Sequence, residues 1–179
     1  MHHLSSLAAG IAGLLAAFCT NVAAQGASDA ATPHRIGGDK GWDAFSYTEK
    51  GAKVCYLVGR PAKSEPASFK RGRIDAVVTH RPQEKAVNVV NFNVGYAFKD
   101  GANADLDIDG QKFSLFTQKD AAWAPDADTD KAVVGALAKG KHAVLKGSSA
   151  KGAATTDTYA LDGFKEALAA IDKACGVKR

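Results

Sequence analysis

The chain has 179 residues, of which 46% are hydrophobic and 23% are charged. These fractions are typical of a globular domain, so they exclude a disordered chain and a membrane protein with several spans. The formal net charge of +4 is too small for a dedicated nucleic-acid-binding protein, and the length leaves room for one domain and an additional segment.

The first 28 residues contain no Asp, Glu, Lys or Arg, and residues 4–18 are mostly apolar. Small side chains at Val22 and Ala24 fit the positions before a signal-peptidase cut. An N-terminal membrane anchor is the alternative, although the apolar part is short for a span. We therefore predict a signal peptide over residues 1–24 and a periplasmic or secreted protein with no transmembrane span after processing.

The rest of the chain is predicted to form one β-rich domain. Residues 25–40 show no hydrophobic periodicity and predict a flexible lead-in, so the domain is placed at 41–179. Alternating apolar residues predict strands over 54–58, 74–78, 90–98, 106–108, 113–115, 143–146 and 156–161. The adjacent Val89 and Val90 break this alternation and indicate a bulge. Asp109 and Gly110 form a residue pair that favours a hairpin turn.

Two helices are predicted after these strands. The first covers residues 129–139, with Asp128 or Thr129 as N-cap and Gly140 as its end. The second carries one apolar stripe, made of Phe164, Ala167, Leu168, Ile171 and Cys175. The fold class is therefore mainly β, either all-β or α+β: an antiparallel sandwich-like or barrel-like domain with two helices, the last of them C-terminal.

Two cysteines remain after removal of a signal peptide, Cys55 and Cys175. In an oxidising compartment, two cysteines in a small domain most often form a disulfide. The alternatives are a redox pair, which lacks the expected CxxC spacing, and two free thiols. We predict a disulfide that joins the first part of the domain to the last helix.

The motifs for metal or cofactor chemistry are incomplete. Asp105, Asp107 and Asp109 resemble the opening of a calcium loop, but Phe116 stands where the closing Glu is required. A solvated hairpin explains the three carboxylates better. The histidines show no zinc spacing, so we expect no metal, no cofactor and no catalytic site.

A basic stretch is the best candidate for binding. It consists of Arg60, Lys63, Lys70, Arg71 and Arg73, with Glu65 as its only acid. Such a stretch could contact an anionic surface or an acidic envelope or host protein, whereas the alternative is a solvated loop. Trp123 is a further candidate, as a core residue or as a binding anchor.

Two other functions remain open. A hydrolase or transferase could use His142 as base with Ser148 or Ser149 as nucleophile. A carrier of small ligands could line its pocket with Phe92, Tyr96 and Trp123.

Several stretches together resemble the invasion-associated locus B family of exported alphaproteobacterial proteins. They are Trp42, KVCYLVGRP at 53–61, RG at 71–72, VTHRP at 78–82, VGYAFKDG at 94–101, DIDGQKFSLF at 107–116, AW at 122–123 and GSSAKGAATTDTYALDGFKEAL at 147–168, with Cys175 behind them. Some family members carry further cysteines that are absent here. The resemblance implies a compact β-rich envelope domain of unknown activity, associated with host-cell entry in pathogenic relatives, and it implies no enzyme. We therefore expect a non-catalytic interaction module of the cell envelope.

Overall fold

The computed structural model describes residues 32–179, and the predicted signal peptide lies outside them. The strands are β1 (His34–Asp39), β2 (Trp42–Glu49), β3 (Ala52–Gly59), β4 (Lys63–Glu65), β5 (Asp75–Arg81), β6 (Ala86–Asn93), β7 (Ala104–Ile108), β8 (Gln111–Gln118), β9 (Ala121–Trp123), β10 (His142–Ser148) and β11 (Ala154–Ala160). The helices are α1 (Ala127–Leu137) and α2 (Phe164–Cys175).

The eleven strands form one antiparallel sheet, in the order β1-β2-β3-β5-β6-β9-β8-β7-β10-β11-β4. The sheet is open, with β1 and β4 at its edges, and is not closed into a barrel. Strand β8 pairs with β7 through residues 111–115 and with β9 through residues 116–118, so it connects the two halves of the sheet. The prediction of a mainly β domain with a C-terminal helix is confirmed.

The inner faces of the two halves meet in a sandwich-like core. Trp42 of β2 packs against Tyr159 of β11, and its indole Nε1 donates a hydrogen bond to the carbonyl oxygen of Ala160 at 2.8 Å. Phe164 of α2 contacts the same indole edge-to-face. Helix α2 lies over β1, β2 and β3, and α1 lies over β6. The hydrophobic core therefore lies between the sheet halves and the two helices.

A disulfide joins Cys55 of β3 to Cys175 of α2, as predicted. Beside it, the buried His80 of β5 accepts a hydrogen bond from the backbone N–H of Asn88 at Nδ1, while its Nε2 lies 2.9 Å from a carboxylate oxygen of Asp172. Because Nδ1 accepts, Nε2 carries the proton and donates it to Asp172. This end of α2 is thus held to the sheet by one covalent bond and by hydrogen bonds.

Helix α1 begins earlier than predicted. Its N-cap is Asp126, which accepts a hydrogen bond from the backbone N–H of Thr129, so the prediction of Asp128 or Thr129 as N-cap was wrong. The helix ends at Leu137. Asp130 faces inwards, and its carboxylate accepts the backbone N–H of Val90 at 2.8 Å. This bond fixes the helix to β6.

The strand predicted over 90–98 ends at Asn93, so the alternation from 94 to 98 belongs to a loop. Gly95 turns the backbone there, with a φ of 71°. The predicted bulge is present nearby, at Asn88, where the φ is 62° and the register with β5 shifts. The hairpin at Asp109 and Gly110 is confirmed, since it joins β7 directly to β8. Strands β1, β2, β4 and β9 were not predicted from the sequence.

Candidate functional site

Three loops meet at one end of the sheet, and we call them the three-loop cluster: residues 66–74, residues 94–99 and residues 149–153. The first two are joined by a hydrogen bond from the Gly72 N–H to the Gly95 carbonyl oxygen at 2.8 Å. The second and third are joined by a bond of 2.8 Å from the Ala150 N–H to the carbonyl oxygen of Ala97. These bonds hold the three loops in one fixed arrangement.

The centre of the three-loop cluster is a buried ion pair. Arg71 donates two hydrogen bonds to the carboxylate of Asp157 on β11, at 2.9 and 2.6 Å. The side chains are only 3% and 1% exposed. The two parallel hydrogen bonds fix the relative position of both groups. Loss of either partner would leave a buried charge without a counter-charge, which is costly. The pair thus anchors residues 66–74 to the sheet.

Tyr96 forms a wall against this ion pair. The Arg71 guanidinium lies 5.8 Å from the centre of the Tyr96 ring, and the Tyr96 hydroxyl shares a hydrogen bond of 2.5 Å with Thr155. Burial raises the pKa of Tyr96 above its usual value, so the phenol is neutral at physiological pH. Phe69 packs against the other part of the ring, with 5.6 Å between ring centres.

Glycines allow the close packing of the first two loops. A Cβ atom on Gly95 would lie 2.7 Å from the backbone of Gly72, and the φ of 71° at Gly95 is itself rarely adopted by other residues. The two backbone segments could not approach this closely with any side chain at position 95.

Three cavities surround the loop 66–74. One of about 260 Å³ lies between Phe69, Lys70, Tyr96, Ala97 and the turn 149–151. A second, of about 400 Å³, is lined by Gly72, Arg73, Asn93, Gly95, Tyr96, Ala97 and Asp120. A third, of about 480 Å³, is lined by Arg60, Pro61, Gly72, Arg73 and Ile74. The loop thus has recesses on several sides.

The five basic residues of the predicted binding stretch fall into two groups. Arg71 is buried and its charge is neutralised by Asp157, so it holds the loop 66–74 to β11 and is not available to a partner. The other four, Arg60, Lys63, Lys70 and Arg73, are exposed. Of these, Lys63 pairs with Glu65, and Arg73 pairs with the buried Asp75. Within residues 32–179, Arg60 and Lys70 have no acidic side chain within salt-bridge distance.

The residues predicted to line a carrier pocket are not brought together. Phe92 is fully buried in the core, whereas Trp123 is next to it in the sheet register but on the opposite face, where it pairs with Asn91. Alternation along a strand makes this separation necessary. Trp123 is half-buried and lies beside the exposed Phe116 of β8, away from the lining of the three cavities.

The residues predicted for hydrolysis are also separated. His142 begins β10 and Ser148 ends it, so they are about 20 Å apart along an extended strand. Ser149 is buried, and its hydroxyl accepts the backbone N–H of Ala153. The arrangement of nucleophile and base required for that reaction is therefore absent from these residues.

The three acidic residues before the hairpin do not form a cation site. Asp107 accepts the Gly110 N–H, and Asp109 accepts the backbone N–H groups of Lys141 and His142. Across residues 32–179, no group of three His, Cys, Asp or Glu side chains is placed to hold a metal ion.

Sequence reasoning did not find Asp157, the partner of Arg71. A signal was present, because Thr155, Asp157 and Tyr159 alternate along β11 and all face the interior. An acidic residue on the inward face of a strand requires a cation or hydrogen-bond donors, so this position could have indicated a buried partner.

In the described part of the chain, no helix has the length and hydropathy needed to cross a membrane.

Three comparisons with known proteins gave one match. No curated protein matches the chain, and no solved structure matches it. The family model described as "Invasion associated locus B (IalB) protein" matches residues 42–172, which include β2, the three-loop cluster and most of α2. The chain belongs to the invasion associated locus B family.

Proposed function

We propose that the protein is an exported, non-catalytic interaction module of the cell envelope, which binds an anionic partner through the exposed basic residues beside the three-loop cluster. The observation that carries this proposal is the division of the basic stretch. The buried Arg71 fixes the loop through Asp157, while Arg60 and Lys70 present their charges to solvent. A fixed loop pays little ordering entropy on binding, so its surface charges can contribute to affinity and to orientation.

Export is supported by the disulfide between Cys55 and Cys175, because such bonds persist in oxidising compartments. It is also supported by the signal-like sequence of residues 1–24. The family is not a known enzyme family, and the separation of His142 from Ser148 favours a binding role. Association with host cells, which the family name records, would be one setting for such binding.

The test places a photo-crosslinking residue at position 60 in the native cell, with a matched variant at the exposed Lys139 just after α1 as control. We expect a cross-linked product from position 60 only, with a yield that falls when Lys70→Glu is added and when salt is raised, because screening weakens exposed charges. Equal products from both positions would contradict the proposal. Fractionation of the same cells tests export, and an unprocessed chain in the cytoplasm would also contradict it.

A further inference from the structure

We propose that the cavity between the three loops is a binding site for a small amphiphilic anion: a molecule with a flat apolar body and one carboxylate or phosphate group. We call this cavity the Tyr96 pocket. It is lined by Phe69, Lys70, Tyr96, Ala97 and residues 149–151. It differs from the carrier pocket predicted from the sequence, because Phe92 and Trp123 do not line it.

The apolar part of the pocket is a corner made of two aromatic rings. The planes of Phe69 and Tyr96 meet at 52°. Ala97 and Ala150 also line the cavity. A flat apolar group can contact one ring face and the edge of the other, which is the arrangement that aromatic groups prefer.

The charged part of the pocket is made of Lys70 and Lys151. No acidic residue lines the cavity, and within residues 32–179 neither ammonium group has a carboxylate at salt-bridge distance. An anion bound in the cavity would be attracted by both positive charges. The charges therefore select an anion over a neutral molecule of the same shape.

The walls of the pocket are fixed before any ligand binds. Tyr96 is held by Thr155 and by the Arg71 guanidinium. The turn 149–153 is closed by hydrogen bonds from Ser149 N–H to the Ala153 carbonyl oxygen and from Gly152 N–H to the Ser149 carbonyl oxygen, both at 2.8 Å. A preformed pocket avoids the cost of ordering its lining on binding.

The size of the pocket limits the ligand. Its volume of about 260 Å³ is below the range of about 300–1,000 Å³ that holds drug-sized molecules. It suits a single ring with its acidic group. The pocket shares Lys70 with the proposed function, whereas Lys151 and the turn 149–153 lie outside the basic stretch, so a change at Lys151 tests the pocket separately.

The test is a titration of the purified, isotope-labelled protein followed by NMR of its backbone amides. The probes are benzoate, phenyl phosphate and the neutral analogue benzyl alcohol. We expect benzoate or phenyl phosphate to shift the amide signals of residues 69–70, 96–97 and 149–151 in a saturable way, and benzyl alcohol to bind at least 5-fold more weakly. The stronger of the two anions identifies the preferred acidic group.

Two variants test the role of charge. Lys151→Gln lies on an exposed turn and removes one cation from the rim, so it should weaken binding of the anion at least 5-fold. Lys139→Gln changes another exposed lysine, which lies outside the pocket, and should leave the affinity unchanged. No saturable shift with either anion, equal affinity for benzyl alcohol, or unchanged affinity in Lys151→Gln would overturn the proposal.

Discussion

Arg71 and Asp157 are 86 residues apart in the chain, yet they form a bidentate ion pair inside the protein. The pair connects an irregular loop to a central part of β11, and Tyr96 lies against its guanidinium. The shape of the three-loop cluster therefore depends on an interaction far from the solvent.

Removal of one partner should be costly. Arg71→Met leaves the Asp157 carboxylate buried without a cation, so we expect the free energy of unfolding to fall by about 3–5 kcal/mol. Addition of Asp157→Leu should recover much of this loss, because the orphaned charge is then absent. Urea denaturation of both single variants and the double variant measures the coupling. A loss below about 1 kcal/mol in Arg71→Met would show that the pair does not anchor the loop.

The contact between Gly72 and Gly95 can be separated from the cost of backbone conformation. Gly95 and Gly101 have φ values of 71° and 70°, but a Cβ atom on Gly101 would meet nothing within 4 Å. We expect Gly101→Ala to cost about 1 kcal/mol, and Gly95→Ala to cost about 1–3 kcal/mol more because it also forces the two loops apart. Denaturation midpoints of the two variants measure the difference. Equal losses of unfolding free energy would mean that the two loops accommodate the added methyl group at position 95 without further cost.

The charge of Asp130 should make stability depend on pH. Burial raises the pKa of its carboxyl from 3.8 to about 6. The folded state therefore binds this proton more tightly than the unfolded state does, and protonation of Asp130 stabilises the fold. This contribution is complete below about pH 4 and is lost as pH rises through 6. Asp130→Asn retains an acceptor for the Val90 N–H, and should stabilise the fold by about 1–2 kcal/mol at pH 8 but little at pH 4.

The matched control for Asp130 is Asp128→Asn, which changes an exposed acid in the same turn of α1. Its change in the free energy of unfolding, measured at the same two pH values, gives the effect of removing an exposed carboxylate from this turn. A gain in Asp130→Asn that is the same at pH 4 and pH 8 would exclude titration as its cause.

His80 should give the opposite dependence on pH. Burial lowers the pKa of its imidazole below 6.5, although the hydrogen bond to Asp172 opposes this shift. The stability that comes from the neutral ring is present above pH 6.5 and is lost as pH falls through the lower pKa of the folded state. NMR titration of the His80 ring should show a midpoint below 6.5. A midpoint above 6.5 would mean that Asp172 stabilises the cation more than burial disfavours it.

The disulfide closes a loop between residues 120 positions apart. The double variant Cys55→Ala with Cys175→Ala should lower the free energy of unfolding by about 4–5 kcal/mol, because the unfolded chain gains the entropy of an open loop. A reducing agent should destabilise the natural protein by a similar amount and leave the variant unchanged. Equal destabilisation of both proteins would mean that the reducing agent does not act through the disulfide.

Strong local patterns made part of the fold predictable. The apolar stripe of α2 gave the helix its boundaries and placed Cys175 where it meets Cys55. Asp109 and Gly110 specified a two-residue turn through their own backbone preferences. In these elements the signal is carried by neighbouring residues, so no knowledge of distant contacts is needed.

The remaining elements depend on tertiary contacts. Residues 94–98 alternate like a strand, but the approach of Gly72 to Gly95 makes them a loop. The two glycines at 37–38 gave no strand signal, so β1 was not predicted. This strand is ordered by its pairing with β2 and by its contact with α2. Similarly, Arg71 looks like an exposed charge in the sequence, because its partner Asp157 is remote.

The placement of α2 also has a consequence for the order of folding. The helix covers β1, β2 and β3, whose residues precede it by more than a hundred positions in the chain. A nascent polypeptide that had emerged only as far as residue 160 would lack Phe164, which packs against Trp42, and would lack the partner of Cys55. These strands can pair with one another earlier, but burial of the face that α2 covers is completed only when the last residues of the domain have been synthesised.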